Sequence, residues 1–473
     1  MKKHYQNSWG RAGLVAATAL ALHACAPGQD VPTPTASLNA SRYLAVGDSY
    51  TAGQSAGGLT RASQEYAFPN LLAQQLRSAA PEAAFVQPLF EAGSGAGYLT
   101  LADFPASGIA RTRRVAGAAV RRTVISPAAC GGPDTVRLLV RNASAGTLPQ
   151  NLGVPGLGLG QIETAGLGNE ASATPGGAFN PYFERLLPAA DSRTYLQVVT
   201  SAAPAATFFT FFQGLDDLLP YMRSGGTCGA VPTTALSTLM KARAKKLLDV
   251  LTAGGRPGII ARLPAVITLP LLRTGQGLAL EARLQKIFGD TARVYIQDPF
   301  GSGAGQHISD ADYVLATALP RLGQPTRVVV GTTALLLPYG RDIRNPVRNA
   351  DVLDVDEVAR IKDVIDKYNS GTTSGLGLDE LAKSYNLPVV DAATGRRTLD
   401  LGFLFSNVAG AISVGGVVYS AEPVRGNFFS LDYYSLTPRG NGLLANAFIA
   451  AINKAYRATI PSVEVNSLPT TAQ

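Results

Sequence analysis

Apolar and polar positions change in blocks along the chain, and the blocks alternate between strand and helix character. Tyr43 to Val46 is a short apolar run stopped by Gly47, which predicts a buried strand. Tyr66 to Leu76 follows as a helix, with Phe68, Leu71, Leu72 and Leu76 on one face. Ala206 to Phe212 reads as an aromatic-rich strand. Thr234 to Leu251 reads as a helix, with Leu236, Leu239, Ala242, Leu247, Leu248 and Leu251 apolar and four Lys/Arg between them. Ile259 to Leu263, Val294 to Ile296, Val328 to Val330 and Val389-Val390 are further strand candidates. Val355, Val358, Ile361, Val364, Ile365 and Tyr368 form a helical stripe, and Leu443 to Tyr456 predicts a closing amphipathic helix. This alternation argues for an α/β fold with a parallel sheet and helices on both faces. Residues 84–150, rich in Gly and Arg, read as a hairpin-bearing insertion into a domain spanning 41–465, with 466–473 as a tail.

Composition agrees with a large packed domain: 46% of the 473 residues are hydrophobic and only 16% charged. The start of the chain is different. Lys2 and Lys3 precede an apolar run from Ala12 to Leu22, too short to span a bilayer comfortably. The run ends Leu22-His23-Ala24-Cys25, which resembles a bacterial lipobox. That resemblance implies a signal peptide over 1–24, diacylation of Cys25, export, and attachment to the cell-envelope membrane. An ordinary signal peptide with a chance cysteine is the alternative. Residues 25–40, with Pro27, Pro32 and Pro34, read as a tether.

Net charge is +8; without Lys2, Lys3 and Arg11 it is 38 basic against 33 acidic residues, or +5. That mild excess does not imply nucleic acid. Arg111, Arg113, Arg114, Arg121 and Arg122 read as the solvated face of a hairpin turning near Ala116-Gly117-Ala118, or as a docking face for an anionic surface. Export to an oxidising compartment leaves Cys130 and Cys228 as a candidate disulfide or as two isolated thiols. With three histidines and no Cys/His cluster, neither a metal site nor a cofactor is expected.

Four segments can carry chemistry. Gly47-Asp48-Ser49 lies directly after the first strand, where open α/β sheets collect their sites. Asn151-Leu152-Gly153-Val154-Pro155-Gly156 allows close backbone approach through its glycines. Gln213-Gly214-Leu215-Asp216-Asp217 follows the aromatic strand; Asp217 suits a helix N-cap and leaves Asp216 for the cleft. Ser430-Leu431-Asp432-Tyr433-Tyr434-Ser435 precedes the last helix.

In this order the four segments resemble the blocks of the SGNH hydrolases, or GDSL esterase/lipase family, over roughly residues 43–461. The resemblance implies a three-layer α/β/α, flavodoxin-like fold and serine-dependent ester hydrolysis by a monomer. It implies Ser49 as nucleophile, the N–H groups of Ser49 and Gly156 as oxyanion donors, and Asp432 as the acid. Two blocks depart from the pattern. The base position, histidine in the family, holds Ser435, and the third oxyanion donor, asparagine in the family, is Asp216. A serine has no pKa suited to accepting a proton near neutrality, and an ionised aspartate donates no hydrogen bond. Only His307 survives cleavage at Cys25; it reads as a capping residue in a Gly-rich loop before a helix, or as a substitute base folded over Ser49. Two functions stay open: an envelope esterase, lipase or deacetylase with an unorthodox base, or a non-catalytic protein holding an acylated lipid or carbohydrate. In a third reading the cleft is vestigial and filled by Tyr433 and Tyr434.

Overall fold

In the computed structural model the described residues are 38–471, except 105–108, 127–133, 143–147, 175–177, 266–268, 299–303, 373–374, 392–410 and 423. The expected leader, Cys25 and Cys130 lie outside them. Residues 32–473 form a compact unit of their own. Five strands pair in parallel: β1 (Tyr43–Gly47), β2 (Asn151–Gly153), β3 (Phe208–Phe212), β4 (Gly258–Ala261) and β5 (Val389–Val390), ordered β5-β4-β3-β1-β2. The chain leaves β1 toward one edge and resumes at β3 on its other side, so the strand order reverses beside β1. Such a reversal opens a crevice at the carboxyl ends of the strands. Every residue of β1, β3 and β4 is buried, which is why these strands read as continuous apolar runs rather than alternating ones.

The four predicted helices form, and three of them start on a side-chain cap, Phe68–Ala79 being the exception. Thr233 accepts from the N–H of Leu236 at the start of Thr234–Leu251, and Asp354 and Glu357 make a reciprocal box at the start of Val355–Ser370. These two helices pack together. The closing helix, Pro438–Tyr456, is capped by Thr437 and packs on Phe68–Ala79, with Phe448 stacked on Phe68 at 4.7 Å between ring centroids. Among the described residues no helix is long and apolar enough to cross a membrane.

Several expectations are corrected. Asn151–Gly153 is a core strand, hidden in the sequence because it has three residues and one apolar side chain. The runs near 294 and 328 do form strands, but outside the central sheet. Tyr295–Gln297 pairs antiparallel with Gly305–His307, and Pro325–Val330 pairs with Thr333–Pro338. Short β-branched runs look alike in sequence whether they join the central sheet or close a local hairpin. The arginine-rich stretch is also not one hairpin. Gly97–Asp103 pairs with Arg111–Ala116, and Val120–Ser126 pairs with Asp134–Leu139. Gly117 is the joint between the two, pressed so closely on Gly95–Gly97 that an added Cβ would lie 2.3 Å from the Ala96 backbone. Arg111 pairs with Asp103, Arg121 with Glu170 and Glu184, and Arg122 with Glu170.

Candidate functional site

The carboxyl ends of β1, β2 and β3 bring Ser49, Gly156 and Asp216 to one point. Asp48 makes the junction. Its Oδ2 accepts from the N–H groups of Gly214 at 2.9 Å and Leu215 at 3.0 Å, and its side chain caps the turn Ser49–Ala52. The strand ends approach so closely that a Cβ on Gly47 would stand 2.2 Å from the Phe212 carbonyl oxygen. Gly156 holds φ +75°, a left-handed conformation that turns its N–H toward the same point.

What occupies that point is Asp216. Its Oδ2 accepts from the N–H of Gly156 at 2.7 Å, the N–H of Ser49 at 3.1 Å and the Ser49 hydroxyl at 2.6 Å. The hydroxyl also lies 3.2 Å from Gln54 Oε1, but it has one hydrogen, and the shorter contact to a carboxylate is the stronger. Gln54 Nε2 in turn donates to the Tyr434 hydroxyl at 2.6 Å. Ser49, Asp216 and Tyr434 are 3%, 5% and 2% exposed, so side chains of the protein itself fill the space above the serine.

Burial pushes the Asp216 carboxyl up to about 6, against the pull of the Ser49 hydroxyl, the two N–H groups and the nearby Arg223 guanidinium. Asp48 is held well above the usual carboxylate range, first by burial and then by the charge of Asp216. Two buried carboxyls therefore share one junction. Asp216 Oδ1 is buried without a hydrogen-bond partner among the described residues. Asp217, expected as the cap of the following helix, instead caps the turn Leu159–Gln161, accepting from the N–H groups of Leu159 at 2.7 Å and Gly160 at 3.0 Å. Burial raises it to about 6 as well.

Asp432 and Ser435 face each other rather than Ser49. Asp432 Oδ1 accepts from the Ser430 hydroxyl and the N–H groups of Tyr434 and Ser435, and Oδ2 accepts from the N–H of Gly57 and the Ser435 hydroxyl. Five donors saturate this carboxylate. It clasps a turn in which Tyr433 takes φ +67°. The clasp is docked on the Ser49 loop through Ser55 Oγ to the Leu436 carbonyl and Ala56 N–H to Ser430 Oγ. Of the two tyrosines, Tyr434 lies in the Ser49 chain of contacts, whereas Tyr433 turns its hydroxyl toward the Ala110 carbonyl.

His307 lies in the strand Gly305–His307, not in a loop before a helix, and the next helical turn is the short one at Leu319–Arg321. Its Nε2 is 2.7 Å from Glu281 Oε2 and its ring meets Tyr295 edge-on. The hydrogen-bond partners of the Ser49 hydroxyl are Asp216 and Gln54. No family model, no curated protein and no solved structure matches this chain.

Gln54 and Arg223 carry no signal in the sequence. Neither belongs to a motif, and their roles depend on where the Tyr434 turn docks. Cys228 is disulfide-bonded. Among the described residues no group of three His, Cys, Asp or Glu could hold a metal ion. Cavities of about 500 Å³ beside Thr60 and Val115 and about 570 Å³ beside Arg42 and Leu148 lie elsewhere; neither is lined by Ser49, Asp216 or Asp432.

Proposed function

We propose that this chain is a non-catalytic protein of SGNH hydrolase type, with a three-layer, flavodoxin-like domain carried on an exported, lipid-anchored N-terminus. The observation that carries the reading is the position of Asp216 Oδ2. In an acyl-transfer site the N–H groups of Ser49 and Gly156 would receive the oxygen of the tetrahedral intermediate. Here an internal carboxylate takes both N–H groups and the serine hydroxyl. Any substrate oxygen must displace a buried anion or sit beside it. Asp216 does touch Ser49 Oγ and is pushed by burial up to about 6, which invites a serine–aspartate dyad. As base, however, it would still occupy the place where the intermediate's charge develops, so one group cannot serve both needs. The saturated Asp432 and the hydroxyl at Ser435 supply no alternative base. The protein then acts through its surfaces, as a binding or structural component of the envelope.

Residues 32–473 should hydrolyse p-nitrophenyl acetate at the same background rate as Ser49→Ala. Turnover by the wild type that disappears in Ser49→Ala would overturn the proposal. The double variant Asp216→Asn/Ser435→His restores both family residues and is expected to gain serine-dependent turnover, lost again when Ser49→Ala is added.

A further inference from the structure

Independently of that reading, we propose that the hairpin Pro325–Val330/Thr333–Pro338 is a membrane-docking element that seats in the headgroup region of an anionic bilayer. Among the described residues the two strands pair only with each other. Cross-strand partners share a face, so Val329 with Ala334 and Arg327 with Leu336 form one face, and Val328 with Leu335 and Val330 with Thr333 form the other. The first face is open to solvent: Val329 is 66% and Leu336 74% exposed. The second is more covered, with Leu337 buried at the base and Val328 and Leu335 half-buried, and Val330 near the tip is exposed again. A bare two-stranded hairpin is marginal in water, and one with apolar side chains on both faces needs an apolar surrounding.

The base of the hairpin continues the same surface. Arg341 lies over the ring of Phe288 at 4.6 Å, and Phe288 and Ile343 are both exposed. Between Arg321 and Arg348 the sequence has five arginines and one acid, Asp342, when both ends are counted. Asp342 is paired with Arg344, and Arg321 is paired with Asp351. Arg327, on the open apolar face, has no ion-pair partner among the described residues. Apolar side chains beside cations match a surface with an apolar interior and anionic headgroups. A second copy or a partner sheet would cover one face or one edge, whereas a bilayer surrounds the tip. The unpaired outer edges of both strands forbid entry into the hydrocarbon core, which places the seat at the headgroup–acyl boundary.

The test is flotation of residues 32–473 with vesicles of phosphatidylglycerol and phosphatidylcholine in equal parts, beside pure phosphatidylcholine. The wild type is expected to float with the anionic vesicles and much less with the neutral ones. Val329→Asp/Leu336→Asp should lose about tenfold or more in bound fraction, and Arg327→Glu should lose several-fold on anionic vesicles only. Unchanged thermal unfolding of the variants separates lost docking from lost folding. The proposal fails if the wild type does not float, or if the double variant floats as well as it does. It also fails if sedimentation shows a wild-type dimer that the double variant abolishes, since a second copy would then be the occupant.

Discussion

Asp216 is the residue on which the functional account turns, and its ionisation has a measurable consequence. An unfolded aspartate titrates near 3.8 and the folded Asp216 near 6. Between those values the folded state holds more protons, so stability falls as pH rises through the window and the loss is complete above it. The amide introduced by Asp216→Asn cannot ionise, and the substitution also relieves Asp48 of a neighbouring charge. Between about pH 4 and pH 7.5, Asp216→Asn should therefore lose less stability than the wild type, by on the order of 2–3 kcal/mol. Urea unfolding at the two pH values measures this, and parallel losses would refute a buried, strained carboxyl. Asp432 makes the opposite kind of prediction. A residue that only oriented a base would be dispensable for folding, but one accepting five hydrogen bonds should not be. Asp432→Ala should cost on the order of 3 kcal/mol, read as a lower denaturant midpoint. Ser49 and Asp216 were legible as neighbours because each follows a strand that the sequence predicts, where an α/β sheet gathers its loops, whereas Gly156 joined them only through the family resemblance, its strand being hidden. That Asp216 turns its oxygen into the paired N–H groups was not legible, because a chain written in letters does not say which rotamer a buried acid adopts.

At the scale of elements, the strands buried on both faces and the capped helices follow from local pattern, since continuous apolar runs and N-cap residues act over a few positions. Phe448→Ala should open the seam between Pro438–Tyr456 and Phe68–Ala79 and cost about 3–5 kcal/mol, visible in thermal unfolding. Elements defined by long-range pairing escaped the sequence. Asn151–Gly153 is a strand only because β1 lies beside it, registering Ala45 with Asn151 and Gly47 with Gly153. The runs at Tyr295 and Val328 had strand character but no signal of which partner they would choose. The outer part of the hairpin, residues 329–334, is exposed throughout, so replacing it by a short Gly-Ser turn should leave the unfolding free energy within about 1 kcal/mol of wild type while strongly reducing vesicle flotation.

For the whole molecule, a sealed site and an open surface belong together. The serine is covered by Asp216, Gln54 and Tyr434, and exposed apolar and basic side chains stand far along the chain at Phe288, Arg327, Val329 and Leu336. In the proposed reading the sealed serine leaves the protein to act through its surface contacts. The most direct measurement is exposure of residues 32–473 to a fluorophosphonate near pH 7.5, followed by intact mass. Such a probe bonds a serine only when the hydroxyl is activated and the N–H groups are free to hold the phosphonyl oxygen. No adduct is expected on the wild type, and a Ser49 adduct is expected on Asp216→Asn/Ser435→His. Rapid, stoichiometric labelling of Ser49 in the wild type would contradict the proposed reading, because Asp216 would then not be filling the place the phosphonyl oxygen needs.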